Sequence, residues 1–400
     1  MRAKIEKSQA KGKAFAPPSK SYAHRLLICG ALAKGNSIID GISQSVDMEA
    51  TLDCIGALGA SYTKTGDRVS INGGITKKNK QRILNCFESG STLRFFIPIA
   101  LLTGDECVLK GSERLMSRGL DVYDEIFKKQ NISCIKEKNQ ITLKGTLKPD
   151  IFNVRGDISS QFISGLLFAL PLLNGDSIIN ITTKLESASY IDITIEALKL
   201  FGIEIQKGHS TYFIRGNQKY VCSQQSVEGD YSNSAFLDAF NVLGGDVDVL
   251  GLNEDSIQGD KIYKEYFELI KSGTPTLDIS NCPDLGPVLF TLSALKNGAT
   301  FTGTKRLKIK ESDRVEAMRQ ELFKLGVKLD VQENSVTVHN GAHTPNEMLF
   351  GHNDHRIVMA LTLALTQFGG EIEGCEAVSK SYPDFFEKIA KLGIRVEVVK

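Results

Sequence analysis

Six segments of this chain are apolar on nearly every side. They occupy residues 20–33, 91–103, 159–173, 231–243, 283–296 and 354–368. With no polar face at a period of 3.6, such segments predict helices buried all round. Each opens on small polar or charged residues, and most run into a glycine: Gly35, Gly104, Gly175, Gly244, Gly298 and Gly369. A second helix follows each one. Four of these end at Gly59, Gly202, Gly326 and Gly393, and weaker copies end at Asn131 and Gly273. Gly or Asn after a last helical turn signals a C-cap that needs positive φ. Alternating apolar residues then predict a strand, as at Val327, Leu329 and Val331, and a polar turn leads to a second strand at 335–338. The copies recur at intervals of roughly 55–75 residues, the mark of internal duplication.

Each unit therefore reads as strand, buried helix, strand, surface helix, strand, strand. Six βαβαββ units on 400 residues suit two domains, each with its own core. The order of elements follows from the pattern; the grouping of units into domains does not.

Net charge is only +1, which argues against a general nucleic-acid binder. Cationic chemistry must be local. The eight cysteines contain no C-x-x-C pair and are expected to be reduced and packed as small hydrophobes, as in a cytoplasmic protein. The first residues carry no apolar leader, and the longest apolar runs, 95–102 and 165–173, are too short to cross a membrane. The six histidines show no H-E-x-x-H spacing, so no metal is expected.

The local charge sits at helix starts. A helix N-terminus already attracts anions through unpaired N–H groups and its dipole. Ser19-Lys20-Ser21 with Arg25 opens the first apolar helix, Gly90-Ser91-Thr92 the second and Ser159-Ser160-Gln161 the third. Lys310-Glu311-Ser312-Asp313-Arg314 and Asn353-Asp354-His355-Arg356 mark two more. Taken singly, each is also compatible with an ordinary capped helix and solvated charges. Arg94, inside its helix, reads as a structural partner. Together, cations at apolar helix starts point to a strongly anionic ligand.

These motifs, in this order, resemble those of the 5-enolpyruvylshikimate-3-phosphate synthases. Pro18-Ser19-Lys20-Ser21, Gly90-Ser91-Thr92-Leu93-Arg94, Ser159-Ser160-Gln161-Phe162, Ser187-Ala188-Ser189-Tyr190, Pro283-Asp284, Lys310 to Arg314, Asn353 to Arg356 and Lys380-Ser381-Tyr382-Pro383-Asp384 carry the resemblance, which spans nearly the whole chain. It implies an α/β (α+β) fold of two similar domains, each three βαβαββ repeats with buried parallel helices and outer sheets, an inside-out α/β barrel. Residues 1–18 with 228–400 would form one domain and 19–227 the other, with the active site in the cleft between them. It implies transfer of the enolpyruvyl group of phosphoenolpyruvate to the 5-hydroxyl of shikimate 3-phosphate, without cofactor or metal, in a cytoplasmic monomer that binds neither nucleic acid nor membrane. Shikimate 3-phosphate would be held by Lys20, Ser21, Arg25, Ser159, Ser160, Gln161, Ser187, Tyr190, Asp284, Arg306 and Lys310. Phosphoenolpyruvate would be held by Lys20, Gly90, Ser91, Arg118, Gln161, Arg314, Arg356 and Lys380. Asp284 is the implied base, and Glu311, with Lys20, the implied acid. Each substrate phosphate carries about −1.5 to −2 and each substrate adds a carboxylate, which gives the cations their purpose.

Arg306 stands where many relatives carry Asn, and Ser91 where Thr is common. Retention of Gly90 leaves room for a bulkier phosphoenolpyruvate mimic, so sensitivity to glyphosate is expected. Two rivals remain. A sister enzyme moves the same group onto UDP-N-acetylglucosamine, but uses a reactive Cys in a loop that here reads Gly111-Ser112-Glu113-Arg114-Leu115-Met116-Ser117-Arg118. A non-catalytic anion-binding repeat protein would explain the duplication but not the pairing of Asp284 with Glu311.

Overall fold

A computed structural model of the chain describes residues 1–76 and 80–399. It divides into two compact units, Pro18–Glu228 and Met1–Pro17 with Gly229–Lys400. Each encloses a separate hydrophobic core.

Three four-stranded sheets clothe the Pro18–Glu228 unit, and all share one order. In one, Arg82–Phe87 runs parallel to Cys107–Gly111, which pairs antiparallel with Gln140–Lys144, and Ser133–Lys136 completes the hairpin. Ile151–Val154, Ser177–Ile181, Thr211–Ile214 and Ile205–Lys207 repeat that order. The third sheet, built on Gly35–Asp40, takes its leading strand from Gln224–Ser226, at the far end of the unit. A parallel first pair needs a helical crossover, and in the first two of these sheets an apolar helix supplies it: Gly90–Ala100 in one, Ser160–Ala169 in the other. Their side chains are buried almost without exception, as the absence of a polar face requires.

The second unit follows the same plan with a difference. Thr276–Asp278, Ala299–Thr302, Ser335–Val338 and Leu329–Val331 form a full sheet, and the N-terminal strand Arg2–Ile5 sits between Gly370–Glu373 and Val396–Val399 in another. The sixth sheet has only two strands, Lys11–Phe15 and Asp246–Leu250. The pattern predicts a strand pair after the helix Tyr263–Ser272, and the structure has none there. Gly273, Thr274 and Pro275 lead straight into the first strand of the next sheet, which leaves no length for a hairpin. Gly273 is accordingly extended, at φ −179°, and not the left-handed cap the pattern predicts. Gly59 and Asn131 do adopt that cap, at φ 115° and 56°.

Two apolar helices are shorter than their patterns. Pro171 turns the end of one into a 3-10 segment, Leu170–Leu172. In the 283–296 segment, a 3-10 turn at Pro283–Leu285 precedes the helix Gly286–Leu295, where Pro287 sits in the first turn. That turn lifts Asp284 off the helix proper.

Among the described residues, no helix is long and apolar enough to cross a membrane.

Candidate active site

The charged helix starts gather into groups within each unit. In the Pro18–Glu228 unit, Lys20 is the first residue of the helix Lys20–Leu32, and its Nζ donates to Asp47 Oδ2 at 2.8 Å. Asp47 lies in the first turn of the next helix, Val46–Leu58, where a carboxylate also suits the dipole. One turn beyond Lys20, Arg25 is buried. Its guanidinium donates to the Ser21 carbonyl at 2.7 Å, the Tyr190 carbonyl at 2.8 Å and Thr194 Oγ1 at 2.7 Å. Arg25 thus ties the first apolar helix to Ala188–Leu200, and brings the predicted residues Ser21 and Tyr190 together. Burial lowers its pKa to about 10, so it stays charged at neutral pH. Ser187, just before Ala188–Leu200, is buried and left-handed at φ 56°.

A second group forms around Gln161. Its Nε2 donates to Ser91 Oγ at 2.9 Å, and its Oε1 accepts from Arg94 Nη1 at 2.7 Å. Arg94 also donates to the Arg118 carbonyl at 3.2 Å. The Arg118 guanidinium lies against Gly90: a Cβ built there would sit 2.7 Å from Nη1. Ser159 caps its helix by accepting the Gln161 N–H, and Ser160 begins it. Beneath both groups runs a buried chain of side chains, His24 to Thr51 at 2.7 Å, Thr51 to Thr92 at 2.9 Å and Thr92 to Ser89 at 2.7 Å. Burial, with Lys20 and Arg25 nearby, holds His24 well below the usual histidine range and so neutral.

The other unit packs three cations against three carboxylates. Asp284 Oδ1 accepts from Arg314 Nη1 at 2.8 Å and pairs with Lys310 Nζ at 3.2 Å; Oδ2 pairs with Arg356 Nη2 at 3.2 Å. Arg314 also donates to Glu311 Oε2 and Asp354 Oδ2, each at 2.8 Å. Asp354 caps the helix His355–Phe368 through the Arg356 N–H, and Ser232 Oγ accepts from Arg356 Nη2 at 2.9 Å. Arg306 is buried on the 3-10 turn Lys305–Ile309, close enough for its charge to depress Lys310. Lys380 Nζ donates to the Asn353 carbonyl at 2.6 Å.

Burial alone would raise the Asp284 carboxyl, but Arg356, Lys310 and Arg314 outweigh it and hold it well below the usual carboxylate range. Burial chiefly, with Arg306 and Arg314 adding to it, brings Lys310 down to about 8 despite Asp284. Arg314, bonded to three carboxylates, is pushed up and permanently charged.

The sequence shows the cations at the helix starts but not the carboxylates that meet them in the fold. The structure adds Asp47, Asp284, Glu311 and Asp354 as partners already in place. Asp47 and Asp354 were given no role, and neither was Ser232. Asp354 was within reach: an Asp directly before an apolar helix is an N-cap signal. Asp47 and Ser232 meet their partners only through tertiary folding.

Residues 5–389 match the family described as EPSP synthase (3-phosphoshikimate 1-carboxyvinyltransferase). The chain belongs to this family. A relative from Clostridium kluyveri, named 3-phosphoshikimate 1-carboxyvinyltransferase, is 40% identical over 98% of this chain and 97% of its own. One of the same name from Clostridium acetobutylicum is 41% identical over the same shares. Among solved structures, an EPSP synthase from Acinetobacter baumannii superposes with a TM-score of 0.80 at 21% identity, covering 100% of both chains. The enolpyruvyl transferase NikO from Streptomyces tendae gives 0.78 at 14% identity, over 99% of this chain and 98% of that one. At such identities these two speak for the fold alone, the two-domain α/β fold of enolpyruvyl transferases.

Proposed function

We propose that this protein transfers the enolpyruvyl group of phosphoenolpyruvate to the 5-hydroxyl of shikimate 3-phosphate and releases phosphate, in the shikimate pathway to aromatic amino acids. The observation that carries the reading is the pair of cationic clusters at helix N-termini on a chain of this family, each built from residues the family resemblance assigns. Ser21, Arg25, Ser159, Ser160, Ser187 and Tyr190, with Lys310 and Arg306, hold shikimate 3-phosphate. Lys20, Gly90, Ser91, Arg118, Gln161, Arg314, Arg356 and Lys380 hold phosphoenolpyruvate. The protein works as a cytoplasmic monomer.

The chemistry is an addition followed by an elimination. Asp284 takes the proton of the 5-hydroxyl as its oxygen attacks C2 of phosphoenolpyruvate, and Glu311 delivers a proton to C3. The tetrahedral adduct then loses phosphate from C2 and a proton from C3, which restores the double bond. Held by three cations, Asp284 is a weak base. Phosphate and carboxylate groups that draw Lys310 and Arg356 toward themselves free it to act. The same exchange loosens Glu311 from Arg314.

Phosphate release from phosphoenolpyruvate, assayed with shikimate 3-phosphate or with UDP-N-acetylglucosamine, tests the reading. Release with shikimate 3-phosphate alone is the expected outcome. Release with the nucleotide sugar alone would overturn it.

A further inference from the structure

Two turns beyond Arg314 on the same helix, Arg314–Lys324, a carboxylate lies in the interior. Glu321 is 2% exposed. Its Oε2 accepts the Phe350 N–H at 2.9 Å, its Oε1 bonds His352 Nε2 at 2.9 Å, and Lys324 Nζ approaches both oxygens at 2.9 and 3.1 Å. Burial would raise its pKa, but His352, Lys324 and the Phe350 N–H outweigh that, so it is ionised and His352 donates. A buried carboxylate with every partner in place is costly to lose and not needed for packing.

Two of its partners, Phe350 and His352, lie in the segment that ends at Asp354. That segment is gripped twice by one helix region. Arg314 and Ser312 hold Asp354 at one end, and Glu321 holds Phe350 and His352 at the other. Between the grips, His352 and Asn353 are both left-handed, at φ 50° and 52°. Both residue types tolerate that region better than most, but two in succession need an external hold. The conformation aims the Asn353 carbonyl at Lys380 and sets Asp354 to cap the helix whose second residue is Arg356.

We propose that Glu321 is a positioning residue for phosphoenolpyruvate: through His352 it holds the 350–354 loop in its left-handed form and so places Lys380 and Arg356. The proposal rests on the reading above that these two cations bind phosphoenolpyruvate.

The test is steady-state kinetics of the full chain against both substrates, with amide exchange across 350–356. Glu321→Gln keeps the shape but cannot accept from both Phe350 and His352. His352→Asn keeps a residue at ease with the left-handed backbone and is too short to reach Glu321. It also removes only one bond at a side chain 20% exposed, so it keeps the fold. In both variants KM for phosphoenolpyruvate rises on the order of tenfold, KM for shikimate 3-phosphate is unchanged, and exchange at 350–356 accelerates. His352→Gln, long enough to reach Glu321, restores most of the affinity. An unchanged KM for phosphoenolpyruvate, or an equal rise for both substrates, overturns the proposal. Lys380→Met and Arg356→Lys check the reading beneath it. If neither raises KM for phosphoenolpyruvate, that reading falls, and the loop clamp then stands only if exchange still accelerates in His352→Asn and is overturned if it does not.

Discussion

Replacing Asp354 separates two jobs done by one carboxylate. Its side chain is fully buried; Oδ2 accepts from Arg314 Nε at 2.8 Å and Oδ1 from the Arg356 N–H at 2.9 Å. Asp354→Asn keeps the cap, since Asn is as good an N-cap as Asp, but turns an amide NH2 toward Arg314 and Ser312. Breaking a buried ion pair by removing one partner costs about 3–5 kcal/mol. Asp354→Ala loses the cap as well, a further ~1 kcal/mol. For a domain of this size each kcal/mol moves Tm by about 2–4 °C, so Asn lowers the transition of this unit by roughly 6–20 °C and Ala by a few degrees more. The pH dependence has a definite sign. Burial would raise the Asp354 carboxyl, but Arg314 outweighs it and leaves it below the usual range. A depressed folded pKa stabilises above the unfolded value and the contribution fades as pH falls, so the gap between parent and Asn variant starts to close below about pH 4. Circular-dichroism melts at pH 7 and in acid measure this. An Asn variant within about 2 °C of the parent at pH 7 would refute the reasoning.

Three further outcomes are expected. Gly90→Ala places a methyl 2.7 Å from Arg118 Nη1 and must displace that guanidinium, so initial rates should show KM for phosphoenolpyruvate raised by about tenfold and weaker inhibition by glyphosate; an unchanged KM denies Arg118 its role. With Lys310 at about 8, kcat/KM falls as pH rises past 8 and the ammonium is lost; Lys310→Arg, which does not titrate there, should abolish that limb of the pH profile, and its survival would assign the limb elsewhere. Lys20→Met, Asp284→Asn and Glu311→Gln should each cut kcat by about 10²–10⁴ with an unaltered circular-dichroism spectrum, and near-parental turnover in all three would break the mechanism.

The buried helices were legible because an all-apolar segment has one physical outcome, and the structure buries both faces of His355–Phe368 as the pattern predicts. The hairpins were legible where a left-handed cap and alternation coincide, as at Gly59. They failed at Gly273, where the same glycine follows a helix with no room for two strands. Glycine permits a left-handed turn without requiring one. At the candidate site, Lys20, Arg314 and Arg356 were readable from their positions in helix first turns. Their partners were not. Asp47 is 27 residues from Lys20, and Arg356 finds Ser232 across 124 residues, so no local periodicity connects them. Glu321 was hidden for another reason: on an amphipathic helix a Glu reads as a solvated face, and only packing shows it turned inward.

The partners sharpen the argument for an anionic ligand. Lys20 and Arg314 are the first residues of their helices and Arg356 the second of its own, where the dipole disfavours a cation by about 0.3–1 kcal/mol each. A buried network of three cations and three carboxylates is also a poor way to stabilise a fold, because apolar side chains of similar volume are commonly as good or better. Neither cost has a structural return. Both are recovered when phosphate and carboxylate groups displace Asp284 and Glu311 from the cations, for then the fixed charges and the helix dipoles act together on the ligand. The carboxylates set free in that exchange are the two that the chemistry needs as base and acid, so binding and activation become one event. An apolar substitution of the whole network, Asp284, Lys310, Glu311, Arg314 and Arg356 together, with Asp354→Ser to keep the helix cap, should therefore largely preserve the circular-dichroism melt while abolishing turnover. A loss of folding instead would make the network structural and leave the charged helix starts without a ligand to explain them.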